Sequence, residues 1–468
     1  MKFESAIKNL FDEYAQGSLT QAFQETVLAL SELPLLFKLM SVCPLADLEL
    51  EAVFTTIRSS LLASVLETAG NSDLISFQSA LALQCFTNEY IYIQDDADTE
   101  ALQRLEDIVE KTLSDGKHPS PQSVLCLASF KALNEYEWCD LLNVTSDIEE
   151  VFTRQVIEPN QEVFLKSDIP ALKEITDKVS SKVREQYEKS PYPRWINLGL
   201  RLKPAPISVI ASEIKLKLFN PAINKIEAPN ILIAGCGTGQ HSIGTAARFK
   251  NSKVLAIDLS LSSLAYAKRK TEELAVENIK YMQADILDLG KLNRQFDIIE
   301  SAGVLHHMND PVAGWKVLTG CLKQGGLMKV GLYSESARQH IVKIREEIAQ
   351  SGIGLSDFVM KSFRDKVIKS DEEHHKRILK SGDFYSMSEL RDLLFHVQEH
   401  RFTIPQLKDS LAELGLKFCG FEAKKIVQNF KLTNNGIDDT YHLDKWNVYE
   451  EANPNTFTGM YQFWCQKV

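Results

Sequence analysis

The sequence predicts an α/β protein with a doubly wound, mostly parallel sheet, a large all-α region before it and a helical insertion before its last strands. Apolar residues recur at helical spacing through the first ~170 residues. From Lys225 to Tyr333, short apolar runs alternate with amphipathic stretches, which is the pattern of parallel β–α–β units. We therefore expect four segments, 1–175, 176–335, 336–412 and 413–468.

Composition limits the class of protein. The 468 residues are 44% hydrophobic and 25% charged, as expected for a globular chain of two or three domains. The net charge of −11 argues against broad nucleic-acid binding, which needs a surplus of Lys and Arg. Residues 1–17 carry no signal-peptide pattern, no apolar run is long enough to span a bilayer, and the eight cysteines form no CxxC pair. We expect a reduced, cytoplasmic, zinc-free protein.

The N-terminal region is predicted to be helical. The stretches 19–40 and 73–93 place apolar residues at i, i+3 and i+4, with Pro, Gly and Asp clusters between them. No clean repeat of about 33 to 47 residues is visible, although degenerate helical hairpins stay open. We interpret the region as an interaction or dimerisation module.

The central region is expected to alternate strands and helices. Ser260 is predicted to cap the second helix, and Asp310 followed by Pro311 is predicted to open a later one. In order, the elements are PNILIAG, HSIGTAARF, KVLAID, LSSLAYAKRKTEELA, NIKYMQ, FDIIES, the helix from Asn309, and GGLMKVGLYS. Further on, SDEEHHKRILK and DFYSMSELRDLLFHVQEHRF are predicted to be helical, and GLKFCGFEAKKI and TFTGMYQFWCQK to be two late strands.

The first predicted strand ends in three glycines, Gly235, Gly237 and Gly239. Parallel sheets bind ligands outside the carboxyl ends of their strands, and glycine lets the backbone approach a ligand closely. The GxGxG spacing differs from the dinucleotide fingerprint GxGxxG, whose third glycine would fall on Gln240.

Carboxylates follow the next two predicted strands. Asp258 ends the second strand, where its oxygens can accept from a ribose diol and would repel a 2′-phosphate. Asp285 follows the third strand and can accept from an adenine amino group. Together with the glycines, they predict a nucleoside-containing cofactor other than NADP.

These motifs resemble the class I S-adenosylmethionine-dependent methyltransferases. AGCGTG, AID, QADILDL, FDIIESAGVLHHMNDP and LKQGGLMKVGLY follow the order of that family's motifs. The resemblance implies S-adenosylmethionine as cofactor and a seven-stranded sheet whose last strand, MYQFWCQK, is antiparallel. It assigns cofactor binding to Gly235, Cys236, Gly237, Gly239, Asp258, Leu259, Asp285, Ile286 and Ser301. Many members carry Asp or Glu where this chain has Ile233, so a group near Gly235 or Ser301 must meet the cofactor's amino group.

A second resemblance covers most of the chain. VREQYEKSPYPRW, DFYSMSELRDLLFHVQEHRF, MYQFWCQK and the helical N-terminal region are similar to a bacterial group that includes rickettsial-type lysine methyltransferases of outer-membrane proteins. This resemblance implies a lysine-bearing protein substrate and a homodimer through the N-terminal helices. It implies neither nucleic-acid binding nor membrane insertion.

A lysine acceptor must react as the uncharged amine. Because the ordinary lysine pKa is about 10.4, the amine is roughly one part in two thousand at pH 7. The site must disfavour the ammonium by burial, or remove its proton through Tyr, His or a carboxylate. The catalytic candidates are Tyr192, Trp195, Glu300, His306 and Tyr333, with Tyr187 and His307 beside them.

Two of these groups have alternative explanations. SPYPRW, which contains Tyr192, Arg194 and Trp195, is either a lid over the cofactor's sulfonium or a rigid linker packed on the sheet. His306 and His307 either line a substrate pocket or pack at the start of a helix.

We assign no metal site. His374 and His375 lie in a charged run, where a solvated helix face is the simpler interpretation. His396 and His400 are spaced one turn apart on one face of a predicted helix, but no third ligand is evident.

Three functions are therefore compared. The first is methylation of protein lysines, and the second is methylation of a small molecule, because VLHHMNDP also resembles motifs of quinone- and lipid-methylating enzymes. The third is a helical interaction protein that binds the cofactor without turnover.

Overall fold

The computed structural model describes residues 9–12, 21–67 and 74–468. The chain forms two compact units: a helical unit of Met1–Gln161, Arg194–Asn197 and Ile348–Phe395, and a sheet unit of Glu162–Pro193, Leu198–Glu347 and His396–Val468. The four segments expected from the sequence stay a prediction. Most of residues 1–17, where the sequence predicts no signal peptide, lie outside the described residues, as do parts of the predicted helices 19–40 and 73–93.

Helices dominate both units. In chain order they are α1 (Gln21–Ser31), α2 (Pro34–Val42), α3 (Leu48–Glu67), α4 (Ile75–Thr87), α5 (Asp96–Ser114), α6 (Pro121–Ala128), α7 (Glu149–Phe152), α8 (Glu158–Ser167), α9 (Lys178–Lys189), α10 (Ile207–Glu213), α11 (Gln240–Arg248), α12 (Leu261–Glu273), α13 (Pro311–Cys321), α14 (Gln339–Ser351), α15 (Asp357–Ile368), α16 (Glu373–Ile378), α17 (Met387–Phe395), α18 (Ile404–Glu413), α19 (Lys424–Thr433) and α20 (Leu443–Ala452). Among the described residues, none of these helices combines the length and apolar character needed to cross a bilayer.

Seven strands of the described residues form one sheet in the order β3-β2-β1-β4-β5-β7-β6. They are β1 (Asn230–Ala234), β2 (Lys253–Asp258), β3 (Ile279–Gln283), β4 (Phe296–Ala302), β5 (Leu322–Leu332), β6 (Leu416–Phe421) and β7 (Tyr461–Lys467). Strands β1 to β5 pair in parallel, whereas β7 is antiparallel to both β5 and β6. The predicted α/β class, strand number and antiparallel last strand are confirmed.

The sheet buries both of its faces. Side chains of alternate residues in β1 point to opposite faces, so Ile231 and Ile233 join one hydrophobic cluster and Leu232 and Ala234 join the other. Residues of α11 and α12 cover the first face, and residues of α13, α18, α19 and α20 cover the second. Strands buried on both faces explain the nearly continuous apolar runs in the sequence.

The helical unit joins segments that are far apart in the chain. Arg364 of α15 donates two hydrogen bonds to the carboxylate of Glu51 in α3, at 2.6 and 2.7 Å. The backbone N–H of Ser388, in α17, donates to Glu89 at 2.5 Å. Such an ion pair and such a hydrogen bond bring the helical insertion and the N-terminal helices into one unit.

Helix starts agree with the sequence better than helix ends. The Ser260 hydroxyl accepts from Ser263 N–H at 3.0 Å, and Asp310 accepts from Ala313 N–H at 3.0 Å, so both predicted caps are confirmed. The predicted helix through His396 and His400 is wrong, because α17 ends at Phe395. Beyond it, Gln398 N–H donates to the His396 ring at 3.1 Å instead of continuing the helix. The predicted strand GLKFCGFEAKKI also ends early, at Phe421.

Candidate active site

The strand order reverses between β1 and β4, and the crevice outside the carboxyl ends of these strands is where such sheets bind ligands. The glycine loop, residues 235–239, follows β1, and the loop of Gly303 and Val304 follows β4. The two loops meet closely, since a Cβ on Gly235 would lie 2.3 Å from Val304 Cγ2. Glycine at this position is therefore required by packing as well as by backbone conformation.

All three glycines of the loop adopt positive φ angles, 77° at Gly235, 51° at Gly237 and 89° at Gly239. L-residues with a side chain rarely adopt this conformation. A Cβ on Gly237 would lie 2.8 Å from the Tyr192 carbonyl oxygen, and one on Gly239 would lie 2.6 Å from Ala267 Cβ. The loop thus brings bare backbone to the start of α11.

Asp258 links the glycine loop to the end of β2. One carboxylate oxygen accepts from Gly237 N–H at 2.8 Å and the other from Ser260 N–H at 3.0 Å. Burial raises the pKa of this carboxyl, and the backbone N–H donors of Ser260 and Gly237 oppose the shift. Each oxygen has a second lone pair, so the side chain retains capacity to accept from a ligand.

The remaining predicted cofactor residues lie at the same edge of the sheet. Asp285 follows β3 and accepts from Leu287 N–H at 2.9 Å, and the neighbouring Ile286 packs in the core. Cys236 is buried in the loop, and Leu259 is half-buried after Asp258. The Ser301 hydroxyl, near the end of β4, is buried and has no hydrogen-bond partner among the described residues.

The segment of residues 187–193, which includes part of SPYPRW, contacts the glycine loop and the start of α12. The Thr238 hydroxyl donates to the Pro193 carbonyl oxygen, and the Ser260 hydroxyl donates to the Tyr187 carbonyl oxygen at 3.0 Å. Glu188 accepts from the backbone N–H groups of Leu261 at 2.5 Å and Ser262 at 3.2 Å, which begin α12. A carboxylate at a helix start is electrostatically favourable. Because Glu188 is distant in the chain from α12, no local sequence motif predicts this cap.

The same part of the chain matches a known family. Residues 231–326 match the family described as a methyltransferase domain. This part of the chain is therefore similar to methyltransferase domains, in agreement with the motifs identified in the sequence. The match begins in β1 and ends in β5, so it includes the glycine loop and the ends of β2, β3 and β4.

Individual proteins are similar over parts of the chain. An uncharacterized protein of Synechococcus sp. is 28% identical over 237 residues, which are 47% of this chain and 56% of that protein. The ubiquinone biosynthesis O-methyltransferase of Coxiella burnetii is 27% identical over 150 residues, 32% of this chain and 61% of that protein. The structure of PKMT2 from Rickettsia typhi in complex with AdoHcy is 18% identical, has a TM-score of 0.41, and is covered over 54% of its length and 59% of this chain. The chain thus spans less than two thirds of each relative's length.

The residues of the methyltransferase domain fit S-adenosylmethionine. The first backbone N–H groups of α11 lack partners within the helix, which suits the cofactor's carboxylate, and Asp258 suits its ribose hydroxyls. Ile233 is fully buried in the core and cannot contact the cofactor's amino group. The unpartnered Ser301 hydroxyl, which the sequence analysis named for this contact, is an acceptor at the correct edge.

Glu300, a catalytic candidate, has another role in the structure. Its carboxylate accepts from Thr245 at 3.0 Å and lies 2.5 Å from the His241 ring, and both residues belong to α11. Burial alone would raise its pKa, but the hydrogen bond and charge of His241, with Lys329 and Arg248, lower it to about 2. A carboxylate this acidic is a poor base, so the prediction of Glu300 as a catalytic residue is not supported and we interpret it as an anchor of α11.

His306 and Tyr333 are catalytic candidates because each follows a strand, and in the structure their side chains are in contact. His306 follows β4 and Tyr333 follows β5, and their rings stack with centroids 3.9 Å apart. The His306 ring is fully buried, and neither of its nitrogens has a hydrogen-bond partner among the described residues. Burial, His307 and Arg338 hold its pKa well below the usual range, so the imidazole is uncharged at neutral pH.

Tyr192 and Trp195 belong to different units. The Tyr192 carbonyl oxygen lies against Gly237 in the sheet unit, which places this part of SPYPRW beside the cofactor loop. Trp195 is buried in the helical unit, whose Glu89 lies 3.4 Å from Arg194 Nε. A lid role for both side chains stays a prediction.

The other histidines also differ from their expected settings. His375 is buried in α16 and its Nδ1 lies 2.7 Å from the Ser370 hydroxyl, so it is not part of a solvated face. His396, beyond α17, is buried and stacks on His307 with ring centroids 3.7 Å apart. The sequence spacing could not show this contact, because His307 and His396 are separated by the helical insertion.

Proposed function

We propose that this chain transfers a methyl group from S-adenosylmethionine to lysine side chains of a protein, such as an outer-membrane protein. The observation that carries methyl transfer is the Gly235–Gly239 loop, which meets Asp258 at the strand-order reversal within the matched methyltransferase domain. When bound, the cofactor supplies a methyl group already activated on a sulfonium. The chain must then hold the acceptor in line and exclude water, effects that together lower a barrier by roughly 7–11 kcal/mol.

The buried groups after β4 and β5 suit an amine acceptor. The neutral His306 ring carries a lone pair that can accept a hydrogen bond from the amine. The Arg338 guanidinium carbon lies 3.5 Å from the Tyr333 ring centroid, so a positive charge stands beside the stacked pair. A nearby cation and burial both disfavour an ammonium, which lowers the cost of presenting the uncharged amine.

A protein substrate is supported by the second sequence resemblance. VREQYEKSPYPRW begins in α9; Tyr187 and Glu188 contact the start of α12, and Pro193 accepts from Thr238 of the glycine loop. The large helical unit offers a surface beyond what a small acceptor requires. This assignment of a macromolecular acceptor is part of the proposal.

A small-molecule acceptor is the second candidate. The positive charge of Arg338 would also stabilise a phenolate, the form in which a quinol hydroxyl is methylated. A ubiquinone biosynthesis O-methyltransferase is 27% identical to this chain over 150 residues. Cofactor binding without turnover is the third outcome to be distinguished.

The test uses S-adenosylmethionine labelled on its methyl group, with the purified chain and a cell lysate separated afterwards into protein and lipid fractions. We expect label in protein that survives acid hydrolysis as methyl-lysine, and no label with an Asp258→Ala chain. Label confined to the lipid or quinone fraction would replace the lysine proposal with the small-molecule one. Cofactor binding without any label would contradict both and favour a binding protein.

We also propose a homodimer through the N-terminal helices and a cytoplasmic location. Leu28 in α1, and Leu33 and Leu35 at the start of α2, expose 55%, 45% and 71% of their surfaces, which is costly unless a partner covers them. All eight cysteines are free thiols, as expected in a reducing compartment. Sedimentation should give a dimer mass for the wild type and a monomer mass for Leu35→Asp; a wild-type monomer would contradict the dimer.

A further inference from the structure

A buried ion pair lies behind the stacked rings of His306 and Tyr333. Arg338 donates to both oxygens of Glu399, from Nε at 3.2 Å and from Nη2 at 2.8 Å. The two side chains are 4% and 1% exposed. A buried, bidentate ion pair of this kind fixes the plane of the guanidinium.

The guanidinium plane bears on the catalytic candidates. Arg338 lies over Tyr333, and Tyr333 lies over His306, so the three groups form a stack behind the edge of β4 and β5. Backbone hydrogen bonds also hold Tyr333 and His306 in place. Phe402 N–H donates to the Tyr333 carbonyl oxygen at 2.8 Å, and His400 N–H donates to the His306 carbonyl oxygen at 2.7 Å. Residues 399–402, which follow the helical insertion, therefore brace both loops of the sheet unit.

The charges around His306 come from several elements. The positive or protonatable groups are Arg338, just before α14, and three histidines. His307 follows His306 in the chain, and His396 and His400 lie beyond α17. Glu399 is a negative group of this cluster, and it also lies 3.9 Å from Arg345 and 3.8 Å from Arg401. Because several cations share one carboxylate, a proton on His306 would add to an existing positive charge.

We propose that Arg338, oriented by Glu399, is a positioning residue that fixes Tyr333 on His306 and keeps the His306 ring uncharged for the acceptor. This inference rests on the proposed methyl transfer at His306. Burial and the neighbouring positive groups already place the His306 pKa below its ordinary value, in agreement with this role. Glu399 lies within the quoted stretch DFYSMSELRDLLFHVQEHRF, whereas Arg338 lies in none of the quoted motifs, and only the fold brings the two residues together.

The test compares two substitutions that should shift the His306 titration in opposite directions. In Arg338→Gln a cation is removed, so His306 should titrate at higher pH than in the wild type, and the acid limb of the transfer rate should move to higher pH. In Glu399→Gln the balancing anion is removed, so both should move to lower pH. Histidine-ring NMR follows the titration without requiring activity, and methyl transfer at varied pH follows the limb.

Two further variants separate charge from packing. Arg338→Lys keeps the charge but loses the planar fork, so we expect the acid limb to stay near its wild-type position while the rate falls. Arg401→Gln removes a cation that lies 3.8 Å from Glu399 and 3.0 Å from Glu335, and it should leave the limb in place.

The outcomes are distinguishable. Shifts of the same sign in Arg338→Gln and Glu399→Gln, or a uniform loss of rate with no change in His306 titration, would overturn the positioning role. If the wild type transfers no methyl group, the proposed function fails, but the NMR titrations still decide whether Arg338 sets the charge of His306.

Discussion

At the scale of single residues, polar side chains at the carboxyl edge have two kinds of task. Asp258 and Ser301 retain hydrogen-bonding capacity toward a ligand, whereas Glu300 is held to α11 through Oε2, and its Oε1 is buried without a partner among the described residues. The sequence could identify that all three lie at strand ends. It could not say to which face Glu300 turns, because that depends on the helix packed against it.

Glu300 provides a test of its structural role. Its folded pKa of about 2 lies below the ordinary value of 4.5, so its stabilisation is present above pH 4.5 and is lost as the pH falls toward 2. The shift corresponds to about 3 kcal/mol of unfolding free energy, and Glu300→Gln should lower stability at pH 7 by an amount of this order. Chemical denaturation at pH 7 checks this, with the exposed Glu272→Gln on α12 as control. Equal, small effects of both variants would contradict the anchoring role.

At the scale of elements, the βα repeats and their caps follow from local signals. Ser260, Asp310 and Pro311 act within one helical turn, so sequence alone identifies them. The end of α17 at Phe395 is set by contacts of His396 with residues such as Arg345, whose Nη2 donates to its carbonyl oxygen at 2.7 Å. Such long-range contacts leave no periodic pattern in the sequence.

The end of α9 offers a prediction at this scale. Glu188→Ala removes the acceptor for two N–H groups at the start of α12, so we expect a loss of about 1 kcal/mol in stability. It also removes one anchor of the segment bearing Tyr192, which contacts the glycine loop through Pro193, so the affinity for S-adenosylmethionine should fall. Thermal unfolding and cofactor titration measure the two effects. Glu185→Ala, on the same helix and 69% exposed, is the control, and equal results for both variants would refute the role of Glu188.

At the scale of the whole molecule, the sequence indicated the sheet more completely than the helical unit. Parallel β–α–β connections are local enough to be recognised from repeats of apolar runs. The union of the insertion with the N-terminal helices depends on pairs such as Arg364 with Glu51, 313 positions apart. No pattern within a helix encodes that partnership.

The helical unit should show a distinct dependence on pH. Burial, opposed by the Ser386 hydrogen bond and reinforced by Asp383 and Glu89, raises the Glu389 pKa to about 7. A raised carboxyl pKa means that the folded state binds the extra proton, so stability falls as the pH rises from 4.5 through 7. Glu389→Gln should remove this loss and stabilise the protein at pH 8 by up to about 3 kcal/mol, with little effect at pH 4.

Thermal unfolding at the two pH values measures the effect of Glu389→Gln. The exposed Glu110→Gln on α5 serves as the matched control. If both variants change the unfolding temperature equally at pH 4 and pH 8, Glu389 does not contribute as described.

Methyl transfer at this edge requires that S-adenosylmethionine bind beside the glycine loop, with its ribose hydroxyls on Asp258. Calorimetric titration of the cofactor into the wild type and Asp258→Ala tests this most directly, with Asp409→Ala, an exposed position on α18, as control. Because hydrogen bonds to a charged group contribute about 1.5–3 kcal/mol each, we expect Asp258→Ala to weaken binding by roughly a hundredfold or more. Unchanged affinity in a folded Asp258→Ala chain would contradict the assignment of this site.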